Sequence, residues 1–436
     1  MVRYILRRLA TLFLTMLVVS IVIFGIVEIV PVNVARNILG HFSTEEQERS
    51  MENQMGLDRP PLIRYISWLA GSNWQAERFI GQPLVSITEE RGLKKDYLSW
   101  WVKDENENLV QWDVLEGQLY KLIRQPDGEI NQIPDETSWL VNEDGNEIFW
   151  GVDSANRAVM WEKGTSDIEY LMSYGGWIKN TDSPADYIPI TKGVLHGDFG
   201  MSLMYHEPVS KVLKSRLINS AILAAISFAF SIPTALILGV IAGMTEGSWL
   251  DRFLSLGGLV TTASPDFATG ILLIIVFSLG LKILPGATVF ETSKVLSNPS
   301  MLVLPVLTIS LMEIGYILRI TRVSVIDIKD SAFVRTAILK GLPYQQVIFR
   351  HVLRNALMAP VTVIMLHVNW LIGGLVVVES VFGYPGMGNF LLGAAQYKDL
   401  NAIEGGTLLM IVIAVGTQLL ADIIYAWLNP QVRYSK

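Results

Sequence analysis

The amino-acid sequence predicts an all-α polytopic membrane protein of six transmembrane helices, with a small β-rich extracytoplasmic domain inserted between helices 1 and 2. Three observations predict it. The 436-residue chain is 51% hydrophobic and only 17% charged, too apolar for one soluble domain of that size. Its apolar residues gather in six runs, each near or above the ~20 residues a helix needs to cross about 30 Å of hydrocarbon. Between the first two runs lies a polar stretch that holds nine of the 12 tryptophans.

The first run, 9–30, follows Arg3, Arg7 and Arg8. A basic start before an apolar stretch also describes a signal peptide. This run is longer than a signal h-region, and no small-x-small cleavage site follows, so it reads as an uncleaved anchor. Residues 1–40 thus form the first segment, with a cytoplasmic N-terminus. The other runs are 218–244, 256–281, 301–318, 359–378 and 406–428. In lipid a backbone must satisfy its own polar groups, so runs this long are helices. The third is interrupted by Ser264-Pro265-Asp266, which softens its ends.

Lysine and arginine orient the chain. With the N-terminus inside, the inner segments carry Arg3, Arg7, Arg8, Arg252, Arg319, Arg322, Lys329, Arg335, Lys340, Arg350, Arg354, Arg433 and Lys436. The short outer loops carry Lys282, Lys294 and Lys398, and Lys211, Lys214 and Arg216 violate the pattern locally. The balance places both termini in the cytoplasm.

The insert, 41–207, holds about 29 acidic and 14 basic residues, a net of about −15 that leaves about +8 for the rest of the chain. A pI of 5.4 therefore conceals a basic membrane part and an acidic outer part. Its aromatic content is that of a folded segment. Leu109 to Val114 alternates apolar and polar residues, while Pro126-Asp127-Gly128 and Glu143-Asp144-Gly145 are turn sequences. These signals predict a β-rich domain over about 75–180. Trp100, Trp101, Trp112, Trp139, Trp150 and Trp161 either build its core or stack on a ligand such as a sugar, or on a protein partner.

Several chemistries are absent. No phosphate-binding loop of the Gly-x-x-x-x-Gly-Lys-Ser/Thr type occurs, so nucleotide hydrolysis is not expected here. There is no Cys, and the five His (His41, His196, His206, His351, His367) lack metal-ligand spacing. No hydrolytic triad is legible. The remaining 208–436 reads as a five-helix membrane core with a cytoplasmic loop over about 320–358.

Within that loop, 333–357 is basic and amphipathic and lies between two spans. Such a segment either rests on anionic lipid or docks onto a partner. Ionisable groups inside spans are site candidates because a charge in hydrocarbon is costly. Glu313, Asp266, His367, Asn369 and Asp422 qualify. Glu313, His367 and Asn369 are candidates for a translocation path, with interhelical hydrogen bonding as the alternative. Gly239-x-x-x-Gly243 permits close helix approach.

The loop resembles the EAA loop of binding-protein-dependent ABC transporter permeases. Arg335-Thr336-Ala337 takes the place of the Glu-Ala-Ala triplet, with Gly341 four residues on, and Leu353-Arg354 replaces the usual Leu-Pro. Val334 to Leu342 and Arg350 to Leu357 follow the style of the dipeptide/oligopeptide/nickel importer family. The N-terminal Met1 to Leu9, the stretch Gly197-Asp198-Phe199-Gly200-Met201-Ser202, the stretch Glu379 to Gly388 and the end Asn429 to Tyr434 resemble the B-type permease subunit of that family. The likeness covers 1–40 and 190–436.

The resemblance implies a permease subunit in the bacterial inner membrane that is not itself an enzyme. It implies a second homologous permease subunit, two cytoplasmic ATPase subunits that bind ATP and Mg, and an extracytoplasmic substrate-binding protein; no cofactor is expected in this chain, and no nucleic acid. Phe333, Arg335, Thr336, Ala337, Lys340, Gly341 and Leu342 would couple it to the ATPase, with Phe333, Ala337 and Ile338 on one side of a short helix. Gly341 permits the turn after that helix, and Pro343 suits the first turn of the next. Oligopeptide is the leading solute class and oligosaccharide the next; nickel fits less well without a His cluster. A rival of another class is a membrane sensor with an outer ligand-binding domain.

Overall fold

The computed structural model describes residues 2–29, 34–40, 43–91, 94–104, 106–115, 118–125, 128–135, 139–142, 144–162, 169–173, 176–180, 184–205, 207–288, 295–397 and 399–428. Two compact units are present, Met1–Ile23 with Lys211–Lys436, and Phe24–Ser210. Helix α1 (Val2–Ile29) runs from the first unit into the second.

The unit Phe24–Ser210 begins with short helices: α2 (Val34–Leu39), α3 (Glu45–Gln54), α4 (Pro61–Ala70) and α5 (Asn73–Ile80). Thr44 and Gln47 form a reciprocal capping box that starts α3. Strands β1 (Leu84–Arg91), β2 (Lys94–Lys103), β3 (Leu109–Leu115), β4 (Gln118–Arg124) and β5 (Ile130–Pro134) follow as a sequential antiparallel sheet. Strands β6 (Leu140–Val141), β7 (Glu147–Val152) and β8 (Arg157–Glu162) build a second sheet, while β9 (Glu169–Ser173) and β10 (Gly176–Asn180) form a hairpin. The last strand, β11 (Pro184–Pro189), joins β8, giving the order β11-β8-β7-β6.

Period-two alternation sends Trp100, Val102, Val110 and Trp112 of the first sheet into one core with Phe149, Val159 and Trp161 of the second. The Phe149 and Trp161 rings stack at 5.8 Å, and Trp112 meets Phe149 edge-on at 5.2 Å. Trp139 and Trp150 are half-buried against this core, and Trp101 is buried. The indole N–H of Trp112 donates to Asp135 (2.7 Å), so its polar atom is satisfied. Asn156, in the β7–β8 turn with φ +66°, accepts from the Trp100 N–H (2.8 Å) and donates to the Leu98 carbonyl (2.6 Å). Its side chain thus stands in for a strand partner and ties the two sheets together. Strands start at Leu84 rather than near 75, because Asn73–Ile80 is a helix.

The membrane unit is helical. Helix α6 (Val209–Met244) is followed by α7 (Trp249–Ala263) and α8 (Asp266–Leu273), which continues as wide π turns to Gly280. The third apolar run is not a straight span. Ser264 ends α7 in extended conformation, Pro265 precedes α8, and the two segments bend by 108°. A proline disfavours helical geometry in the residue before it, which is why the break falls here. Asp266 opens α8 at that break.

Helix α9 (Ser300–Lys329) is the most enclosed of the four helices long and apolar enough to cross a membrane. The loop beyond it holds α10 (Ala332–Leu339), α11 (Tyr344–Gln346), π turns over Val347–Leu353 and α12 (Arg354–Ala356). Then come α13 (Met358–Phe382), α14 (Met387–Tyr397) and α15 (Leu400–Leu428). Among the described residues four helices are long and apolar enough to cross a membrane, or up to six if each of two bent pairs is one span. Gly239 and Gly243 of α6 face Thr321 and Val325 of α9; a Cβ at Gly243 would sit 2.7 Å from the Val325 Cβ. This Gly-x-x-x-Gly stretch is a packing seam.

Candidate functional site

The loop after α9 has two distinct faces. Ser331 turns the chain out of α9, its hydroxyl donating to the Ile328 carbonyl (2.5 Å). Helix α10 then folds Val334 and Ala337 inward, where they meet Val325, Val347, Val352 and Ala356. Val240 and Met244 of α6, with Ile328, Leu342 and Leu353, close the rim of this small core. The Ser324 hydroxyl donates to the Ala356 carbonyl (2.6 Å), fastening the far end of the loop to α9. Burial on one side only makes α10 an extension of α9 rather than a free arm.

The opposite face is apolar and open. Phe333, Ile338 and Leu339 are 44%, 54% and 82% exposed, and Tyr344 and Phe349 are exposed beside them. Arg335, Thr336, Lys340 and Gly341 are also exposed. The expected side of Phe333, Ala337 and Ile338 is therefore split: Ala337 packs inward with Val334, while Phe333 and Ile338 face out with Leu339. Leu342 is half-buried against the inner core. Gly341 has φ +75°, in the left-handed region, and its N–H donates to the Ile338 carbonyl (2.9 Å). A Cβ there would meet nothing within 4 Å, so backbone conformation, not space, requires the glycine. Pro343 immediately precedes α11.

A second cluster lies midway along α9. Glu313 is buried, and its Oε2 is 3.1 Å from Nδ1 of His367 on α13. The other carboxylate oxygen, Oε1, has no partner among the described residues. The His367 ring lies against Tyr316, centroids 4.2 Å apart, and Arg319 approaches the Tyr316 ring at 5.8 Å. Tyr316, Arg319 and His367 share a cleft of about 680 Å³ with Met312, Val363 and the α7 residues Leu259, Thr262 and Ala263. Glu313 stands behind this wall and holds the imidazole in place. Asn369 is in α13, but its side chain lies outside the described residues, as does that of Asp422.

Sequence reasoning missed Glu379. It is fully buried at the end of α13 and accepts from the Ser220 hydroxyl of α6 (2.5 Å) and from the N–H groups of Gly388 (2.6 Å) and Asn389 (3.2 Å) at the start of α14. The Ser220 oxygen in turn accepts from Met387 N–H (2.8 Å), and the Tyr384 hydroxyl donates to the Asn219 carbonyl (2.7 Å). A carboxylate facing a helix N-terminus is favourable placement, and here it joins α6, α13 and α14. The signal was a lone acid ahead of a Gly-rich turn, in the stretch Glu379 to Gly388.

Residues 235–434 match the model of the binding-protein-dependent transport system inner membrane component, and residues 1–82 match that of the N-terminal part of the membrane component. A protein named as a peptide transport system permease in Brucella abortus is 35% identical over 242 residues, 55% of this chain and 77% of that one. The glutathione transport system permease protein GsiC of Salmonella typhimurium is 32% identical over 243 residues, covering 55% and 76%. The oligopeptide transport system permease protein AppB of Bacillus subtilis is 30% identical over 288 residues, covering 65% and 87%.

Proposed function

This chain belongs to the family of binding-protein-dependent ABC importer permeases, and from that premise we propose that it is the B-type membrane subunit of an ATP-driven importer of oligopeptides. In this reading six spans cross the inner membrane with both termini in the cytoplasm. The strand-rich insert faces outward, where a substrate-binding protein delivers the solute. A second homologous permease completes the pathway, and two ATPase subunits bind ATP and Mg inside. This chain performs no chemistry; it converts movement of the ATPases into exposure of the cleft to one side or the other.

One observation carries the proposal. The loop 331–357 is anchored on one face by a buried apolar core and presents bare Phe333, Ile338 and Leu339 on the other. A rigid element with an unpartnered apolar face transmits a push. A lipid-bound helix needs no such anchoring to the end of a span. The peptide reading rests on the names of the relatives at 30–35% identity. The oligosaccharide alternative rests on the tryptophan-rich insert, where Trp100, Trp101, Trp112 and Trp161 are buried and Trp74 is exposed.

The test is purification of the tagged chain from its native membrane. The reading requires an ATPase to accompany it, and ATP hydrolysis to rise when a peptide-loaded outer binding protein is added. A stable complex whose hydrolysis ignores any binding protein would overturn it.

A further inference from the structure

Helices α7 and α9 pack closely where two glycines meet, and a charged pair ties them further along. Midway, Gly258 faces Gly315, and a Cβ at Gly258 would sit 3.3 Å from the Gly315 carbonyl oxygen. Glycine at both positions brings the two backbones close, and Thr262 of α7 seats against Gly315, where a Cβ would sit 3.0 Å from its Cγ2. At the loop end of the same seam, Arg322 of α9 grips Asp251 of α7 in two-pronged fashion, Nε on Oδ1 and Nη2 on Oδ2 (2.8 Å). Such a fork fixes direction as well as distance.

Asp251 is itself built into the first turn of α7. Its N–H donates to the Ser248 hydroxyl (3.1 Å), and its carboxylate accepts from the Gly247 N–H (3.0 Å) and the Ser255 hydroxyl (3.2 Å). It is buried, while Arg322 keeps about a quarter of its side chain exposed. Pulling on Asp251 therefore pulls on the whole N-terminus of α7. The neighbouring pair Lys329 and Glu246 (3.0 Å) is more exposed and adds little. Ten residues past Arg322, α9 leads into α10. At its other end α7 supplies Leu259, Thr262 and Ala263 to the cleft.

We propose that Asp251 and Arg322 are the positioning pair that makes α7 follow α9, so that a displacement of the α10 loop reshapes the cleft wall formed by Leu259, Thr262 and Ala263. The proposal rests on the coupling role assigned to that loop. Without the pair, the loop end of α7 loses its polar tie to α9, and the cleft wall no longer follows the loop.

The assembled transporter, carrying Ala263→Cys as its only cysteine, tests this, since the chain has no Cys of its own. Labelling by a charged, water-soluble maleimide is timed with and without ATP and vanadate. With Asp251 and Arg322 present, the labelling rate changes about fivefold or more on nucleotide trapping, the range of ordinary allosteric coupling. In Asp251→Asn and Arg322→Gln that change disappears, while assembly and ATP hydrolysis persist; Arg322→Lys, which keeps charge but loses the fork, falls between. A full-sized change in Asp251→Asn overturns the proposal, and so does failure of both variants to assemble, which would make the pair a stability element. If the protein with both residues intact labels identically in both states, it is the coupling role itself that fails.

Discussion

Replacing Leu339 by Ala separates folding from docking. Leu339 is 82% exposed, so its apolar surface contributes almost nothing to the fold of this chain. Fully burying a leucine side chain is worth about 1.5–3 kcal/mol. If the α10 loop seats in an ATPase groove, truncation to Ala removes most of that, about 1.5–2.5 kcal/mol, or about 10- to 70-fold in Kd. The same change should move the stability of the chain by no more than about 0.5 kcal/mol. Val334, on the inner face of the same helix, is only 2% exposed and gives the mirror result. Val334→Ala removes buried methyls and leaves a small cavity, costing about 1.5–3 kcal/mol of stability. The assay is titration of the solubilised permease pair with its ATPase, beside a thermal unfolding curve of each variant. Leu339→Ala that docks at wild-type affinity, or that lowers the unfolding midpoint as far as Val334→Ala, would refute the two-faced reading of α10.

Gly341→Ala places a Cβ at φ +75°, which strains the turn by about 1–2 kcal/mol although nothing crowds it; amide exchange of α10 should quicken and uptake should fall relative to ATP hydrolysis, and unchanged exchange would remove the strain argument. Glu379→Ala leaves the Ser220 hydroxyl and the Gly388 and Asn389 N–H groups without their buried acceptor, at about 3–5 kcal/mol. Protease-resistant chain in the membrane should drop sharply, with Glu379→Gln milder; a wild-type yield for Glu379→Ala would show the joint to be dispensable. Deleting 84–189, the strand region, should leave ATPase retention intact while weakening capture of the outer binding protein, and equal capture would make the insert a passive decoration.

The membrane class, the strand-rich insert and the inner loop were legible because each has a local signature. Runs of twenty apolar residues, alternation around Trp112 and a Gly-Leu-Pro break at 341–343 are all readable within a dozen residues. Strand alternation pointed Trp112 inward but left the tryptophans open between core and ligand stacking, and the burial of adjacent Trp100 and Trp101 does not follow from alternation. What was not legible depends on partners far along the chain. Which side of α10 turns inward is decided by Val240 and Met244 of α6 and by Val325 of α9, since both flanks of this eight-residue helix are apolar. Glu379 reads as one polar residue ahead of a loop, and its role appears only when Ser220, 159 residues earlier, comes within 2.5 Å. Glu313 and His367 were marked as costly in hydrocarbon, but their contact joins two helices across 54 residues. The Ser264-Pro265-Asp266 interruption was readable in the sequence, but the 108° angle it makes between the two helices was not. The Asp251–Arg322 fork spans 71 residues and left no trace in local patterning.

The central claim is that α10 presses its bare face against a nucleotide-hydrolysing subunit in the cytoplasm. A single cysteine at Leu339, in a chain that has none, can be cross-linked in intact inner membranes and the captured partner identified. The account predicts one product, an ATPase joined within bonding reach of residue 339, whose yield changes when ATP is trapped. Modification of that cysteine by an impermeant reagent added outside intact cells, or abundant cross-linking to lipid with no ATPase captured, would contradict it.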